Sequence, residues 1–216
     1  MDKETIIKSL KKARENAKKR NFSQTFELIM NFKGLNLKNP EQQIDFYTIL
    51  KHPFRSVKIC GLVGEELLDN SKNTFDDTIF SEEWDKFKGN KKDIKILARK
   101  YDYFVGQANL MPKIATIFGR YFGPLGKMPN PKAGCVVPPS ANLEVIKAKL
   151  NKQIQIKVKS IPVLQIPIGK EAGKDEEIAE DIYSIYDQVV HKLPGESQNI
   201  KSIYVKLTMG KPVKVE

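Results

Sequence analysis

The sequence predicts an α+β protein in which a layered α/β domain is inserted into a discontinuous two-layer domain. Three observations lead to this prediction. Segments with the two-residue alternation of half-buried strands occur near both ends of the chain. A long amphipathic helix near the C-terminus can cover one side of the resulting sheet. The middle of the chain instead alternates short apolar runs with helical stretches, which is typical of a parallel α/β arrangement.

Residues 3–20 predict an amphipathic helix at the N-terminus. Its apolar side chains Ile6, Ile7, Leu10, Ala13 and Ala17 fall on one helical stripe. Basic side chains occupy most of the remaining surface; they are Lys11, Lys12, Arg14, Lys18 and Lys19. For any one of these side chains, a solvated helix face and direct contact with phosphate are equally good interpretations.

Three segments carry strand alternation. Apolar residues at even positions of the segment 26–32 alternate with more polar ones, and the pattern returns in residues 153–159 and 202–208. We expect these three strands to share one polar, mostly basic outer face. Thr25 and Glu27 then lie on that outer face, away from the core.

The helix predicted for residues 174–193 would cover the inner side of this sheet. Its apolar residues recur at spacings of three and four, and Pro194 with Gly195 ends it. An acidic run from Glu171 to Asp187 accompanies the apolar stripe. We expect its carboxylates on the solvated side, where they would repel phosphate.

The middle of the chain predicts a separate domain. The predicted strands are 57–63, 101–106 and 135–137, and the predicted helices are 81–88, 91–100, 108–121 and 142–150. The chain therefore divides into a discontinuous domain, residues 1–54 with 151–216, and an inserted domain, residues 55–150. Because two linkers join them, a hinge between the domains is favoured.

The charge balance predicts a polyanionic partner. The chain has 37 Lys and Arg against 26 Asp and Glu, a formal net charge of +11. Residues 1–20 and residues 91–132 carry the whole excess, so a partner would meet two basic patches. No stretch approaches the roughly 20 apolar residues of a membrane span, and the N-terminus lacks a signal-peptide pattern, which predicts a cytoplasmic protein with no membrane partner.

Cysteine and histidine are too sparse to indicate a metal or disulfide site. Cys60 and Cys135 have neither the number nor the spacing of a framework or a zinc site, and His52 and His191 stand alone. No Ser-His-Asp or Cys-His arrangement has support in the sequence. We therefore expect no metal, no cofactor and no catalytic residues, so that the chain is not an enzyme.

The segment 119–134 predicts a sharply turned and stiffened loop, since it holds four glycines and three prolines among basic residues. Such a loop can present amides and cations to phosphate. It matches neither a dinucleotide fingerprint nor a Walker loop, because Met128 follows Gly126-Lys127 where a Ser or Thr would bind magnesium. A nucleotide pocket, an interdomain turn and a contact with RNA all remain open interpretations.

Two short segments near the termini are candidate binding elements. Phe22 could close the core at the helix end, or it could be exposed and pack on a sugar or base. Thr208 and Met209 end a strand, and Gly210 could take a positive φ and let another backbone approach closely. A plain hairpin turn explains Gly210 equally well.

These segments together resemble the L-one family of large-subunit ribosomal proteins, in its archaeal and eukaryotic branch. The resemblance rests on the segments Gly123–Lys132, Ser202–Gly210 and Phe22–Glu27, and it spans nearly the whole chain in the same order. It implies that the discontinuous α+β domain binds RNA and that the inserted domain is a three-layer, Rossmann-like α/β domain. It also implies a ribosomal location in the cytoplasm and a chain that is monomeric when free.

The function that the resemblance implies is binding of the stalk of 23S-type large-subunit ribosomal RNA near the tRNA exit site, assisting release of deacylated tRNA. It also implies repression of translation through binding to the protein's own messenger RNA. The RNA-contact residues carried over by motif are Phe22, Ser23, Thr25, Glu27, Ser202, Thr208, Met209 and Gly210. Further RNA or interdomain contacts are expected from Lys127, Asn130 and Lys132.

Two departures from the family pattern limit this transfer. Asn21 stands where some relatives have a basic residue, and residues 157–160 lack the acidic residue of a bacterial type, so no contacts are carried over there. Two other function classes compete with RNA binding. A nucleotide-dependent enzyme would use the inserted domain and its Gly-Pro loop, and a membrane-surface protein would use only the first 20 residues.

Overall fold

The computed structural model describes residues 2–215 and confirms the α+β class. The helices are α1 (Lys3–Glu15), α2 (Leu68–Thr74), α3 (Lys91–Lys100), α4 (Met111–Phe122), α5 (Leu143–Lys152) and α6 (Asp175–Val190). The strands are β1 (Thr25–Phe32), β2 (Ile44–Ile49), β3 (Ile59–Val63), β4 (Asp77–Phe80), β5 (Tyr103–Gln107), β6 (Val136–Val137), β7 (Gln153–Val158), β8 (Val163–Lys170), β9 (Ile200–Leu207) and β10 (Val213–Val215). The chain folds into two compact units: unit 1 comprises Met1–Phe54 and Lys152–Glu216, and unit 2 comprises Arg55–Asn151.

Unit 1 is built on an antiparallel sheet with the strand order β10-β9-β1-β8. Helix α1 packs against α6, β9 and β10, and α6 packs against β8. The predicted alternation in β1 and β9 is confirmed, because every second side chain is buried along β1 and along β9 from Ile203 onward. The sheet therefore has one face in the core and one face with half-buried or exposed side chains.

The prediction that β7 shares this sheet is wrong. Strand β7 pairs with β2 in a separate two-stranded sheet, and β8 is the strand next to β1. Alternation marks which side chains are buried but does not identify the partner strand. Pro167 argues against a central strand at β8, yet it is accommodated because β8 lies at the edge of the sheet.

Two expectations about the helices of unit 1 also change. Helix α1 ends at Glu15 rather than at residue 20, so Lys18 and Lys19 lie beyond it. Asp181 on α6 is buried, although its carboxylate was expected to be solvated. Its two oxygens accept backbone N–H groups from Lys51 at 2.9 Å and His52 at 3.2 Å. These hydrogen bonds offset part of the cost of burial and fix the segment that follows β2.

Unit 2 contains a parallel sheet with the strand order β4-β3-β5-β6. Its aromatic cluster includes Trp84, Phe118 and Phe122, all fully buried. Helix α2 and strand β4 were not predicted, and the helix predicted at 81–88 is a 3-10 turn, Glu83–Phe87. Because β3 has β4 on one side and β5 on the other, the strand order reverses between β3 and β5. A crevice at the carboxyl ends of these two strands is where a ligand would ordinarily bind.

Within residues 2–215, no helix combines the length and apolar character needed to cross a bilayer. The same range contains no cluster of three or more His, Cys, Asp or Glu side chains suited to holding a metal ion.

Candidate nucleic-acid interface

The outer sheet face is the side of the unit 1 sheet that α1 and α6 do not cover. Cross-strand pairs between β1 and β9 define it: Glu27 with Lys206, Ile29 with Tyr204, and Asn31 with Ser202. Thr25 precedes these pairs on β1, and Thr208 follows them directly after β9. All of these side chains are half-buried or exposed. The sequence patterns of two strands that are far apart in the chain thus produce one continuous and mostly polar surface.

Thr208 locks one end of this face. Its backbone N–H donates to the carbonyl oxygen of Thr25 at 3.0 Å, and its Oγ1 accepts the backbone N–H of Thr25 at 3.1 Å. The Thr208 hydroxyl also donates to the Thr25 carbonyl oxygen at 3.2 Å. The side chain of Thr208 therefore takes the place of a further backbone pair beyond the end of β9, and both threonines are held in fixed positions.

Gln24 ties the turn Thr208–Gly210 to the N-terminal segment. Its side chain is 1% exposed, and its Oε1 accepts the backbone N–H of Met209 at 3.1 Å. Its own backbone N–H donates to Glu171 Oε2 at 3.2 Å, while Glu171 N–H donates back to the Gln24 carbonyl oxygen at 2.8 Å. Sequence reasoning missed Gln24, although it continues the inward series of Phe26 and Leu28. A polar residue at an inward position of a strand pattern indicates a buried side chain that needs a hydrogen-bond partner, and this signal could have identified Gln24.

Two large apolar side chains remain in water at this end of the sheet. Phe22 is 54% exposed and Met209 is 61% exposed. The interpretation of Phe22 as a core residue is wrong, because α1 ends seven residues earlier and the connecting segment runs outside the core. Phe22 lies two residues before Gln24, and the Gln24 side chain holds the Met209 backbone. Exposed apolar side chains beside a rigid polar cluster indicate an interaction surface.

Gly210 does not take the positive φ that a glycine could adopt there. Its N–H donates to the Leu207 carbonyl oxygen at 2.8 Å, which closes the turn. A Cβ added at Gly210 would lie 3.3 Å from Leu207 Cβ and 3.4 Å from the Leu207 carbonyl oxygen. The constraint on Gly210 is therefore limited space rather than backbone conformation.

Glu27 is the only carboxylate among the motif residues. Its Oε2 lies 3.7 Å from Lys206 Nζ, and Lys206 Nζ donates to the Thr208 carbonyl oxygen at 3.0 Å. Lys206 was not among the predicted contacts, yet it connects Glu27 to the Thr208–Gly210 turn. Carboxylate and ammonium are both only partly exposed, so they offer one acceptor and one donor side by side.

Ser202 lies on the same face but not in the same cluster. Its Oγ accepts a hydrogen bond from Asn31 Nδ2 at 2.9 Å. Thr208 follows it six positions further along the chain, a span of roughly 20 Å in extended backbone. A ligand that contacts both Ser202 and Thr208 must therefore extend along the sheet. Ser23 is exposed beside Phe22, at the Thr208 end.

The three candidate residues of unit 2 lie in its Gly-Pro loop. Lys127 Nζ donates to the Tyr101 carbonyl oxygen. Asn130 Oδ1 accepts the backbone N–H of Lys132 at 2.9 Å and so caps the 3-10 turn Pro131–Ala133. Lys127 and Asn130 thus make structural hydrogen bonds within unit 2, and the Lys132 side chain is exposed.

The crevice between β3 and β5 is filled by protein groups. Gln107, 2% exposed, accepts the backbone N–H of Gly64 at 2.9 Å and donates to Glu66 Oε2 at 2.7 Å. A Cβ at Gly106 would lie 3.0 Å from Ile114 and Met111 side-chain atoms. Side chains thus occupy the position where a nucleotide would bind in a doubly wound sheet, which argues against the nucleotide interpretation.

Comparison with known proteins identifies a family. The model of the ribosomal protein L1p/L10e family matches residues 10–211. The chain is similar to proteins named large ribosomal subunit protein uL1: 40% identical to that of Pyrococcus abyssi, over the whole chain and 97% of the relative. It is 37% identical to that of Thermococcus kodakarensis, over the whole chain and 98% of the relative. With that of Methanocaldococcus jannaschii it shares 35% identity, over the whole chain and 97% of the relative.

Proposed function

The chain belongs to the ribosomal protein L1p/L10e family, and from this premise we propose that it is a structural constituent of the large ribosomal subunit in the cytoplasm. It binds the stalk of 23S-type ribosomal RNA near the tRNA exit site, and unit 1 is its RNA-binding domain. The proposed contacts on the outer sheet face and its rim are Phe22, Ser23, Thr25, Glu27, Ser202, Thr208, Met209 and Gly210. The proposal assigns no catalytic step to the chain.

The main support for this proposal is the hydrogen-bonded cluster of Gln24, Thr25, Thr208 and Met209. Hydrogen bonds fix Thr25, Thr208 and the backbone of Met209 before any ligand arrives. A preorganised surface loses little conformational entropy on binding, and it can therefore discriminate between RNA shapes. The exposed ring of Phe22 adds a stacking platform for a base or sugar.

Basic side chains around this cluster supply affinity that does not depend on sequence. Lys18, Lys19 and Arg20 are exposed in the segment that leads to Phe22, and Lys206 lies on the outer sheet face itself. Contacts between such side chains and phosphates release counterions, so affinity should fall steeply with salt. Lys127, Asn130 and Lys132 are proposed to add contacts from unit 2, the inserted Rossmann-like domain.

Two further activities belong to the same proposal. At the exit site the protein assists release of deacylated tRNA. A fold in its own messenger RNA that presents the same shape as the stalk would occupy the same outer sheet face, and the protein would then repress its own translation. The two RNA targets compete for one surface in this scheme.

Equilibrium binding to a stalk fragment of large-subunit ribosomal RNA tests the proposal. We expect the fragment to bind at least about a thousandfold more tightly than an unrelated duplex of equal length at the same salt concentration. Equal affinity for both RNAs would contradict it. Footprinting on the protein's own transcript tests the regulatory part, which requires protection of one structured site that the stalk fragment abolishes in competition.

A further inference from the structure

A groove of about 310 Å³ opens on the outer sheet face between β1 and β8. It is lined by Glu27, Gln165, Ile166 and Pro167. The pairing of the two strands shifts between Phe26 and Glu27, which sets Glu27 opposite Pro167. The groove thus offers the apolar ring of Pro167 together with a carboxylate and an amide. A small planar ligand with a polar edge suits such a site.

The Glu27 carboxylate has unused hydrogen-bonding capacity. Its side chain is 26% exposed, and Lys206 Nζ stands 3.7 Å from its Oε2, beyond hydrogen-bond distance. Across residues 2–215, no donor makes a hydrogen bond to either of its oxygens, whereas a carboxylate can accept about four. On a surface that faces phosphates this negative charge opposes binding, unless the ligand supplies N–H or O–H donors to it.

We propose, on the basis of the RNA-binding function above, that this groove is a nucleobase subsite that selects guanine. Guanine carries two adjacent donors on one edge, N1–H and the N2 amino group, and these match the two oxygens of Glu27. Adenine presents an unprotonated nitrogen at the corresponding position, and uracil has a single N–H between two carbonyl oxygens. The base lies against Pro167, and the Gln165 amide donates to O6 of guanine. Gln165 is exposed and adjacent to this groove.

Glu27→Gln separates this proposal from simple electrostatics. The substitution raises the formal net charge from +11 by one positive charge, so charge alone predicts tighter binding to every RNA. Guanine recognition predicts the opposite for stalk RNA, because an amide has one acceptor oxygen and sets its N–H group against a guanine donor. We expect about tenfold weaker binding to the stalk fragment, with unchanged or slightly tighter binding to unrelated duplex.

Inosine substitution in the stalk fragment identifies the base, because inosine lacks the N2 amino group. Each guanosine is replaced in turn, and binding is measured with the full-length protein and with its Glu27→Gln variant. One inosine should weaken binding to the unmodified protein by about tenfold and should weaken binding to the variant by less than about twofold. Glu41→Gln is the matched control, since Glu41 is exposed in the turn before β2 and its loss changes charge equally.

The outcomes distinguish this inference from the proposed function. If stalk RNA is preferred over duplex but no inosine effect depends on Glu27, the guanine subsite is wrong while RNA binding stands. If 2′-deoxy substitution, rather than inosine, couples to Glu27, the carboxylate accepts a ribose hydroxyl and the guanine assignment is also overturned. If stalk RNA is not preferred at all, the proposed function itself fails.

Discussion

The outer sheet face of unit 1 and the crevice between β3 and β5 of unit 2 use their polar groups in opposite ways. In the crevice, the Gln107 amide is hydrogen-bonded to Gly64 and Glu66, and these protein groups close the position where a ligand would bind. On the outer face, Glu27 has free acceptor positions, and Phe22 and Met209 lie exposed in water. Unit 2 has a parallel sheet whose strand order reverses, an architecture that usually binds small ligands, yet its ligand position is filled.

This difference shows why fold alone does not locate function. Buried polar groups in unit 2 satisfy each other and stabilise the sheet. Polar groups on the outer face are held rigidly by Gln24 and Thr208 but keep capacity for a partner. Substitutions in the two regions should therefore separate binding from stability.

Gly210→Val should give the largest effect on binding. The new side chain would crowd Leu207 and protrude where the proposed RNA backbone approaches. We expect stalk RNA affinity to fall by about a hundredfold, and the melting temperature to fall by only about 2–4 °C. Calorimetry measures the melting temperature, and filter binding measures the affinity for stalk RNA. Gly119→Val is a control, since a Cβ there meets no atom within 4 Å. Parallel losses of stability and affinity would favour a plain turn.

Phe22→Ala should weaken binding by about tenfold, the typical cost of removing one aromatic stacking partner. Because Phe22 is more than half exposed, its loss should leave the urea midpoint unchanged. Phe22→Tyr keeps the ring and should bind RNA like the original protein. A fall in the urea midpoint for Phe22→Ala would instead mean that the ring packs on the protein.

Gln107→Leu tests the filled crevice. The substitution leaves the buried N–H of Gly64 without an acceptor, which should lower the free energy of unfolding of unit 2 by about 1–3 kcal/mol. Trp84, the single tryptophan, is buried in unit 2, so its fluorescence in urea reports this change. RNA affinity should stay within about twofold of the original protein. Saturable binding of ATP, GTP or NAD to the unmodified protein would contradict the picture of a closed crevice.

Acid should affect the two units with opposite sign, and this effect should be the smallest. Burial opposes ionisation of Asp77 in unit 2, but hydrogen bonds from Tyr101 and Thr78, with Lys100 nearby, hold its pKa below the ordinary value. Its contribution to stability is present above the pKa of the unfolded chain and is lost as the pH falls below about 4. Burial raises the pKa of Asp181 in unit 1, so its contribution is present at acid pH and lost as the pH rises.

Urea unfolding followed by Trp84 fluorescence at about pH 6 and about pH 3 measures the Asp77 contribution in unit 2. Asp77→Asn should make the loss of stability between these two pH values smaller. An identical loss in the variant would show that other carboxylates dominate the acid sensitivity of unit 2.

The fold was predictable where side chains repeat with a clear period. The buried positions of β1, β9 and α6 follow directly from alternation and from spacings of three and four. Strands β2, β4, β8 and β10 were missed, because a short strand or one containing Pro167 carries a weak signal. The assignment of β7 to the main sheet failed because strand pairing depends on distant segments.

The sequence by itself determined the α+β class, the outward position of Thr25, Glu27 and Thr208, and the resemblance to a ribosomal family, because periodicity and motif order are properties of the chain. Only the tertiary structure decided that Phe22 is exposed, that Gln24 holds the Met209 backbone, and that Gln107 closes the crevice. The physical reason is that exposure and hydrogen-bond partners depend on which distant segments meet. Gln24 and Met209 are 185 residues apart in sequence and 3.1 Å apart at the contact.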